Sequence, residues 1–236
     1  MDGARLQAAE VSHPRYQVKS ALLWKRGTIE PHGTYRLPTQ DYHGSYVASA
    51  VLRIPGLEVP VVTMSVHASP SPVEERYRDA WVNGAMRGLP QAREGGGRHD
   101  GQLFDADLLL ESIRVVAEGS LVLAAGDFNE CLAWDRDHVG QTWGELYFDR
   151  LRSYGLVPIL HDRWTPRPGA GESKPWGVER PTSFGVGLQP YQLDHIVTST
   201  KLSDAIAAPA EPEPPSPQDV ASGRSSDHAP VWFTIG

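Results

Sequence analysis

The chain has 236 residues, of which 40% are hydrophobic and 22% charged, and this composition supports an ordinary folded core. Disorder over the whole chain is therefore excluded. The formal net charge of −7 offers no strong basic field, so tight binding of long nucleic acid by counterion release alone is excluded as well. The length suits one domain, and we expect a single domain over 1–236 with a poorly defined N-terminal segment at 1–17.

The cysteine content and the N-terminus bear on the compartment. Cys131 is the single cysteine, so no internal disulfide forms, and no stretch has the pattern of a signal peptide or of a membrane span. If Met1 is the natural start, this predicts a cytoplasmic protein. We expect a monomer.

Short extended runs outnumber helices along the chain, which favours packed sheets with helices outside them. Six runs have the apolar or β-branched composition of strands: Val18–Trp24, Tyr46–Arg53, Val59–Val66, Leu121–Ala125, Tyr191–Thr198 and Pro230–Ile235. The third run ends at His67, and the fourth is apolar throughout, as in a strand that is buried on both faces.

Two helices are predicted between these strands. The first begins at Asp105, which we assign as the N-cap, and Gly119 follows its end. The second extends from about Gly144 to Tyr154 and is closed by Gly155.

Asp127 and Asn129 directly follow the buried run Leu121–Ala125. Strand alternation places their side chains on one side and Phe128 on the other. An Asp-x-Asn turn that caps its own backbone is one interpretation. The other interpretation is that the two polar side chains project from the edge of the sheet and take part in catalysis.

Two further polar motifs lie near the C-terminus. Asp194, in YQLDHIVTST, is a charge in an apolar strand and requires a buried partner, for which a histidine is the natural candidate. Asp227 and His228, in RSSDHAPV, place a hard oxygen ligand for a divalent cation beside a group that holds or moves a proton near neutral pH.

Four short patterns therefore occur in a fixed order: VTMSVHASP, AAGDFNE, YQLDHIVTS and SSDHAPVWFTI. Their order, spacing and strand-end positions resemble the endonuclease/exonuclease/phosphatase family, which includes pancreatic-type DNases, abasic-site endonucleases, sphingomyelinases and inositol-polyphosphate 5-phosphatases. The resemblance covers Val18 to Ile235. It implies an α/β fold, a four-layer α/β/β/α sandwich of two packed mixed β-sheets with outer helices, N-terminally incomplete in this chain.

The resemblance also implies an activity, the hydrolysis of phosphate esters with Mg²⁺, Mn²⁺ or Ca²⁺ as cofactor. By the family pattern, Asp227 binds the metal, with Asp127 and Asn129 as further ligands. His228 faces the scissile phosphate, and Asp194 orients it. Asp127 positions or deprotonates the attacking water, Asn129 donates a hydrogen bond to a phosphate oxygen, and His67 contacts the phosphate as donor or acid.

The chain departs from the family pattern at its N-terminal end. Family members open with a strand that carries an Asn and continue to a Gln-Glu whose carboxylate is the principal metal ligand. Neither is evident here, and Glu10 is the one early candidate, which we interpret as solvent-exposed. Either an upstream segment supplies these residues, or the chain lacks one ligand and one strand.

Three functional hypotheses follow. The first is a metal-dependent phosphoesterase that acts on phosphodiesters or phosphomonoesters, with a nucleic acid or a small phosphodiester as substrate. The second is a truncated or degenerate homologue that binds phosphate-bearing ligands or a protein partner without turnover. The third is a stacking surface for bases, for which Trp164 and Trp176 beside a Pro/Gly-rich loop are the best candidates.

Overall fold

The structure is a computed structural model, which describes residues 6–12, 19–25, 30–33, 47–68, 70, 72, 104–137, 143–159, 180–185, 190–207 and 213–235. No helix in these ranges is long and apolar enough to cross a membrane. Trp164 and Trp176 lie outside the described residues.

Eight strands form two sheets within the described ranges. They are β1 (Leu6–Ser12), β2 (Lys19–Lys25), β3 (Glu30–Gly33), β4 (Val47–Arg53), β5 (Val61–His67), β6 (Leu121–Asp127), β7 (Leu156–Ile159) and β8 (Asp194–Ser199). Six of them make one mixed sheet in the order β3-β4-β5-β6-β8-β7, while β1 and β2 pair antiparallel in a second sheet. In the large sheet β5 and β6 run parallel, and every other neighbouring pair is antiparallel.

The first five predicted strands all form, with slightly different ends. β1 lies in the 1–17 segment, for which the sequence predicted no element. β3 and β7 were also missed because each has only four residues, too few to show a period.

Five helices are described. They are α1 (Asp105–Ala117), α2 (Ala133–Asp137), α3 (Trp143–Ser153), α4 (Thr200–Ser203) and α5 (Pro217–Ala221). The assignment of Asp105 as N-cap is wrong, because α1 begins at Asp105 and the extended Phe104 precedes it. Asp107 accepts a hydrogen bond from the Phe104 backbone N–H at 3.1 Å, so Asp107 and not Asp105 stabilises the start of the helix.

The helices α1 and α3 cover one face of the large sheet. Their apolar residues, among them Leu109, Ile113 and Phe148, form one core cluster with Met64 and Val66 of β5. This is the β5 face that strand alternation predicts to be apolar.

The two-stranded sheet and the C-terminal segment cover the opposite face. β2 contacts β4 and β5, and Leu22 packs against a second cluster that includes Leu52 and Ile196. Three layers are thus described, and the α/β fold class is confirmed. The fourth, outer helical layer stays a prediction, because among the described residues the long helices α1 and α3 both pack on the first face.

The predicted last strand, Pro230–Ile235, does not form. Alternate residues pack on the second cluster and Trp232 is 69% exposed, as in a strand. Within the described residues, however, the backbone pairs only through an isolated bridge between Ile206 and Ile235 and through a hydrogen bond from Ala207 N–H to the carbonyl of residue 234. In the described part of the chain this segment packs through its side chains and makes no ladder of strand hydrogen bonds.

Candidate active site

Three polar residues stand side by side at one edge of the large sheet. His67 ends β5, Asp127 ends β6 and Asp194 begins β8. The strand register pairs His67 with Asp127 and Asp127 with Asp194. Because neighbouring strands lie about 4.8 Å apart, the three side chains form one row.

Gly126 allows β5 and β6 to approach closely just before Asp127. Its φ of +136° is in the region that favours glycine, and a Cβ there would lie 2.1 Å from the carbonyl oxygen of Val66. No other residue type fits this position without moving the backbone of β5. The glycine in AAGDFNE therefore sets the place from which Asp127 leaves the sheet.

Asp127 and Asn129 form a turn that closes on itself. The backbone N–H of Asn129 donates to Asp127 Oδ1 at 2.8 Å, and its side-chain Nδ2 donates to Asp127 Oδ2 at 3.0 Å and to the carbonyl of Ala68. Asn129 has a φ of +51°, a left-handed conformation that Asn tolerates. Phe128 points the other way into the first core cluster, so the predicted split of the three side chains is confirmed.

The surroundings of Asp127 alter the acidity of its carboxyl group. Burial raises the pKa of Asp127 to about 6, and the charge of Asp194 acts in the same direction, while the donors of Asn129 oppose both effects. Near neutral pH the carboxylate is ionised but close to its pKa. That is the condition under which a carboxylate accepts a proton efficiently.

Asp194 has the histidine partner that the sequence predicted. Asp194 Oδ2 lies 2.7 Å from His228 Nδ1, and the two side chains are 18% and 28% exposed. This hydrogen bond raises the pKa of His228 to about 9 against the opposing effect of burial, and the charges of Asp194, Asp127 and Asp227 add to it. His228 is thus an imidazolium at neutral pH, and within the described residues its Nε2 has no hydrogen-bond partner.

His67 lies in the same row, and its surroundings favour the neutral imidazole. Burial lowers the pKa of His67, the positive charge of His228 lowers it further, and the charge of Asp194 partly opposes them. The two histidines therefore differ in charge near pH 7, as expected when one of them has a carboxylate partner. A neutral His67 offers one N–H donor and one acceptor.

The fold has counterparts among solved structures. An AP endonuclease from Leishmania major is 13% identical with a TM-score of 0.58, over 100% of this chain and 71% of that one. A 3' phosphatase from Neisseria bound to a product DNA hairpin is 16% identical with a TM-score of 0.56, over 98% of this chain and 79% of that one. An AP endonuclease from Archaeoglobus fulgidus is 12% identical with a TM-score of 0.55, over 98% and 79%.

This chain has a DNase I-like fold. The resemblance inferred from the four short patterns is thereby confirmed at the level of the fold. Comparison with protein-family profiles gives no match, and comparison with curated protein sequences gives none.

The described part of this DNase I-like fold does not contain a complete metal site. Both oxygens of Asp127 accept hydrogen bonds from Asn129, and Asp194 binds His228. Within the described residues no group of three His, Cys, Asp or Glu side chains is placed to hold a metal ion. The assignment of Asp227, Asp127 and Asn129 as ligands therefore stays a prediction.

Glu10, the early candidate, lies in β1 opposite Ala21 of β2. Its side chain lies outside the described part of the structure. Its assignment as solvent-exposed stays a prediction.

Two supporting groups of the site were missed in the sequence. His195 is fully buried, and its Nε2 lies 2.7 Å from the carbonyl oxygen of Glu130, which fixes the loop after Asn129. Thr182 is also fully buried, and its hydroxyl accepts the backbone N–H of Asp194 at 3.0 Å. The one available signal was the alternation in β8, which puts His195 on the face opposite to Asp194.

Proposed function

We propose that the chain hydrolyses phosphate esters at the edge formed by His67, Asp127, Asp194 and His228. The observation that carries this proposal is the Asp194–His228 ion pair beside Asp127, a carboxylate of raised pKa. It places a cationic donor next to a base in one row of side chains. Phosphoryl transfer is catalysed by fixed donors that stabilise the charge of the transition state and by a base that activates the nucleophile.

His228 supplies the positive charge. Its Nδ1–H is held by Asp194, so Nε2–H is the group that is directed to a phosphate oxygen. A charge-assisted donor of this kind stabilises the charge that collects on the phosphoryl oxygens in the transition state. The same proton passes to the leaving oxygen when the ester bond breaks.

Asp127 supplies the base. In the proposed reaction its carboxylate takes a proton from water as the water oxygen bonds to phosphorus. The P–O ester bond breaks, the alcohol leaves with the proton of His228, and the proton on Asp127 returns to solvent or to His228. Asn129 holds the carboxylate in place through two donors, and neutral His67 donates to the phosphate.

The proposal includes dependence on a divalent cation, Mg²⁺, Mn²⁺ or Ca²⁺, which the resemblance implies and which no step above requires. It also includes a phosphodiester as substrate. The AP endonucleases among the structural neighbours support the diester, and the phosphatase bound to a DNA hairpin supports a nucleic-acid substrate. The charge of −7 favours short or locally held substrates over long DNA gripped by its backbone.

The test is the hydrolysis of bis-p-nitrophenyl phosphate and of p-nitrophenyl phosphate, each with Mg²⁺, Mn²⁺, Ca²⁺ or EDTA. The wild-type chain is compared with His228→Ala and with Lys201→Ala. Lys201 is exposed, follows β8 at the far end of the sheet from Asp194, and carries the same charge as protonated His228. We expect His228→Ala to lower the rate about 10²- to 10⁴-fold and Lys201→Ala to leave it unchanged.

The diester-to-monoester ratio distinguishes the two substrate classes, and activity in EDTA would remove the cation from the proposal. A folded wild-type chain that hydrolyses neither ester under any condition would contradict the proposed function. That result would favour a homologue that binds without turnover.

A further inference from the structure

Residues 182–184 form a short segment whose backbone is hydrogen-bonded near both members of the Asp194–His228 ion pair. On one side, the backbone N–H groups of Thr182 and Ser183 both donate to the carbonyl of Tyr191 at 2.9 Å. On the other side, the N–H of Phe184 donates to the carbonyl of residue 227 at 2.8 Å, and Ser183 is bridged to His228. We call residues 182–184 the strap.

Thr182 is the strap residue that binds both sides. Its hydroxyl accepts the backbone N–H of Leu193 at 3.2 Å and that of Asp194 at 3.0 Å. Its carbonyl accepts the N–H of Ala229 at 2.7 Å. Thr182 thus fixes the backbone at Asp194 and directly after His228.

We infer that Thr182 is a positioning residue, which sets the distance between Asp194 and His228 through its buried hydroxyl. This inference rests on the proposed function, because its effect on turnover requires that the ion pair is catalytic. Thr182 is fully buried, so the hydroxyl is not exposed to ligands. Its role is exerted through Asp194 and His228.

The physical reason lies in the two N–H groups that the hydroxyl accepts. Leu193 and Asp194 lie where β8 begins. The hydroxyl oxygen of Thr182 accepts hydrogen bonds from the backbone N–H groups of both residues. Without it, two half-buried N–H groups would lose their acceptor, and the start of β8 would shift to recover one. The Asp194 carboxylate would move with it and lengthen its 2.7 Å contact with His228.

The decisive variant is Thr182→Val, which keeps the shape and removes the acceptor. Thr182→Ser restores the hydroxyl without the methyl group, and Ser183→Ala is the matched control on the same strap. Each protein is measured for kcat and KM on bis-p-nitrophenyl phosphate. Each is also labelled with ¹⁵N-histidine, and the His228 Nδ1 signal, assigned by its loss in His228→Ala, is compared with that of Asp194→Asn.

We expect Thr182→Val to lower kcat about 10- to 100-fold with little change in KM. Its His228 signal should move toward that of Asp194→Asn. Thr182→Ser and Ser183→Ala should keep both values near wild type. If Thr182→Val keeps the wild-type signal and kcat, or if Thr182→Ser is equally impaired, the inference is overturned.

A second pair covers the case in which Thr182→Val does not fold. Thr182→Cys and Thr182→Ser both lack the methyl group and differ in acceptor strength, so Cys should show the shifted signal and Ser should not. Equal signals would overturn the inference. The NMR comparison does not require turnover, so an inactive wild-type chain would contradict the proposed function while the strap is still tested.

Discussion

Replacing Asp194 with Asn should discharge His228 at neutral pH. The hydrogen bond that His228 donates to the Asp194 carboxylate is the largest cause of the raised pKa of His228, about 9 against the ordinary 6.5, and burial acts against it. In Asp194→Asn the side chain keeps its shape but loses its charge. The pKa of His228 should then fall from about 9 toward its ordinary value of 6.5, because its largest raising cause is gone, while burial still opposes the remaining charges of Asp127 and Asp227.

The size of this effect follows from the two pKa values. At about pH 7.5, a pKa of about 9 leaves about 97% of His228 protonated, whereas a pKa of 6.5 leaves about 9%. The proposed mechanism needs the protonated form. Turnover of Asp194→Asn should therefore fall by up to about tenfold from this cause alone, with a further loss if the ring is no longer oriented.

The assay is an NMR titration of ¹⁵N-histidine-labelled protein, in which the His228 signal is followed from about pH 5 to pH 10. Asp204→Asn is the matched control, since it removes the same charge from an exposed turn after α4. We expect its His228 titration to match wild type. The reasoning is refuted if His228 in Asp194→Asn still titrates near pH 9, or if wild-type His228 titrates near its ordinary value.

Three further predictions concern the surroundings of the pair. Gly126→Ala should lower the free energy of unfolding by about 3 kcal/mol or more, because its Cβ would collide with the backbone of β5. The control in thermal melts is Gly119→Ala, whose Cβ would meet open space, and equal melting temperatures for the two variants would contradict the packing argument. Turnover should rise with pH as Asp127 ionises near pH 6 and fall as His228 loses its proton near pH 9; a rate that still climbs above pH 9 would exclude His228 as the acid. His195→Ala should lower the free energy of unfolding by about 2–4 kcal/mol, since it opens a cavity and removes the hydrogen bond between His195 Nε2 and the carbonyl of Glu130. Denaturant unfolding measures this change, and a smaller loss would show that the loop after Asn129 does not depend on His195.

The ion pair was predictable from the sequence for a physical reason. Asp194 is a charge within an apolar strand, and burying it alone would be costly, so a partner had to exist. Strand ends also concentrate polar residues, which explains why Asp127 and Asp194 fall in one row. The two interpretations of the Asp127–Asn129 pattern are compatible, because the turn that closes on itself is also the one that holds Asp127 at the edge.

The rest of the site depends on contacts between distant parts of the chain. Thr182 and His195 act through the backbone of residues that are 12 and 65 positions away, and no local pattern marks such contacts. The raised pKa of His228 arises mainly from its hydrogen bond to Asp194 and that of Asp127 mainly from burial, and both require the fold. Among the described residues Pro230–Ile235 pairs only through one isolated bridge, and this has the same origin, since alternation predicts an extended segment but not a neighbouring strand.

The most direct test of the account is a double-mutant cycle on phosphodiester hydrolysis. Wild type, Asp194→Asn, His228→Ala and the double variant are compared by kcat/KM on bis-p-nitrophenyl phosphate. If Asp194 acts only through His228, the double variant should lose no more activity than His228→Ala alone. Losses that multiply in the double variant would contradict the account, because the two residues would then act independently.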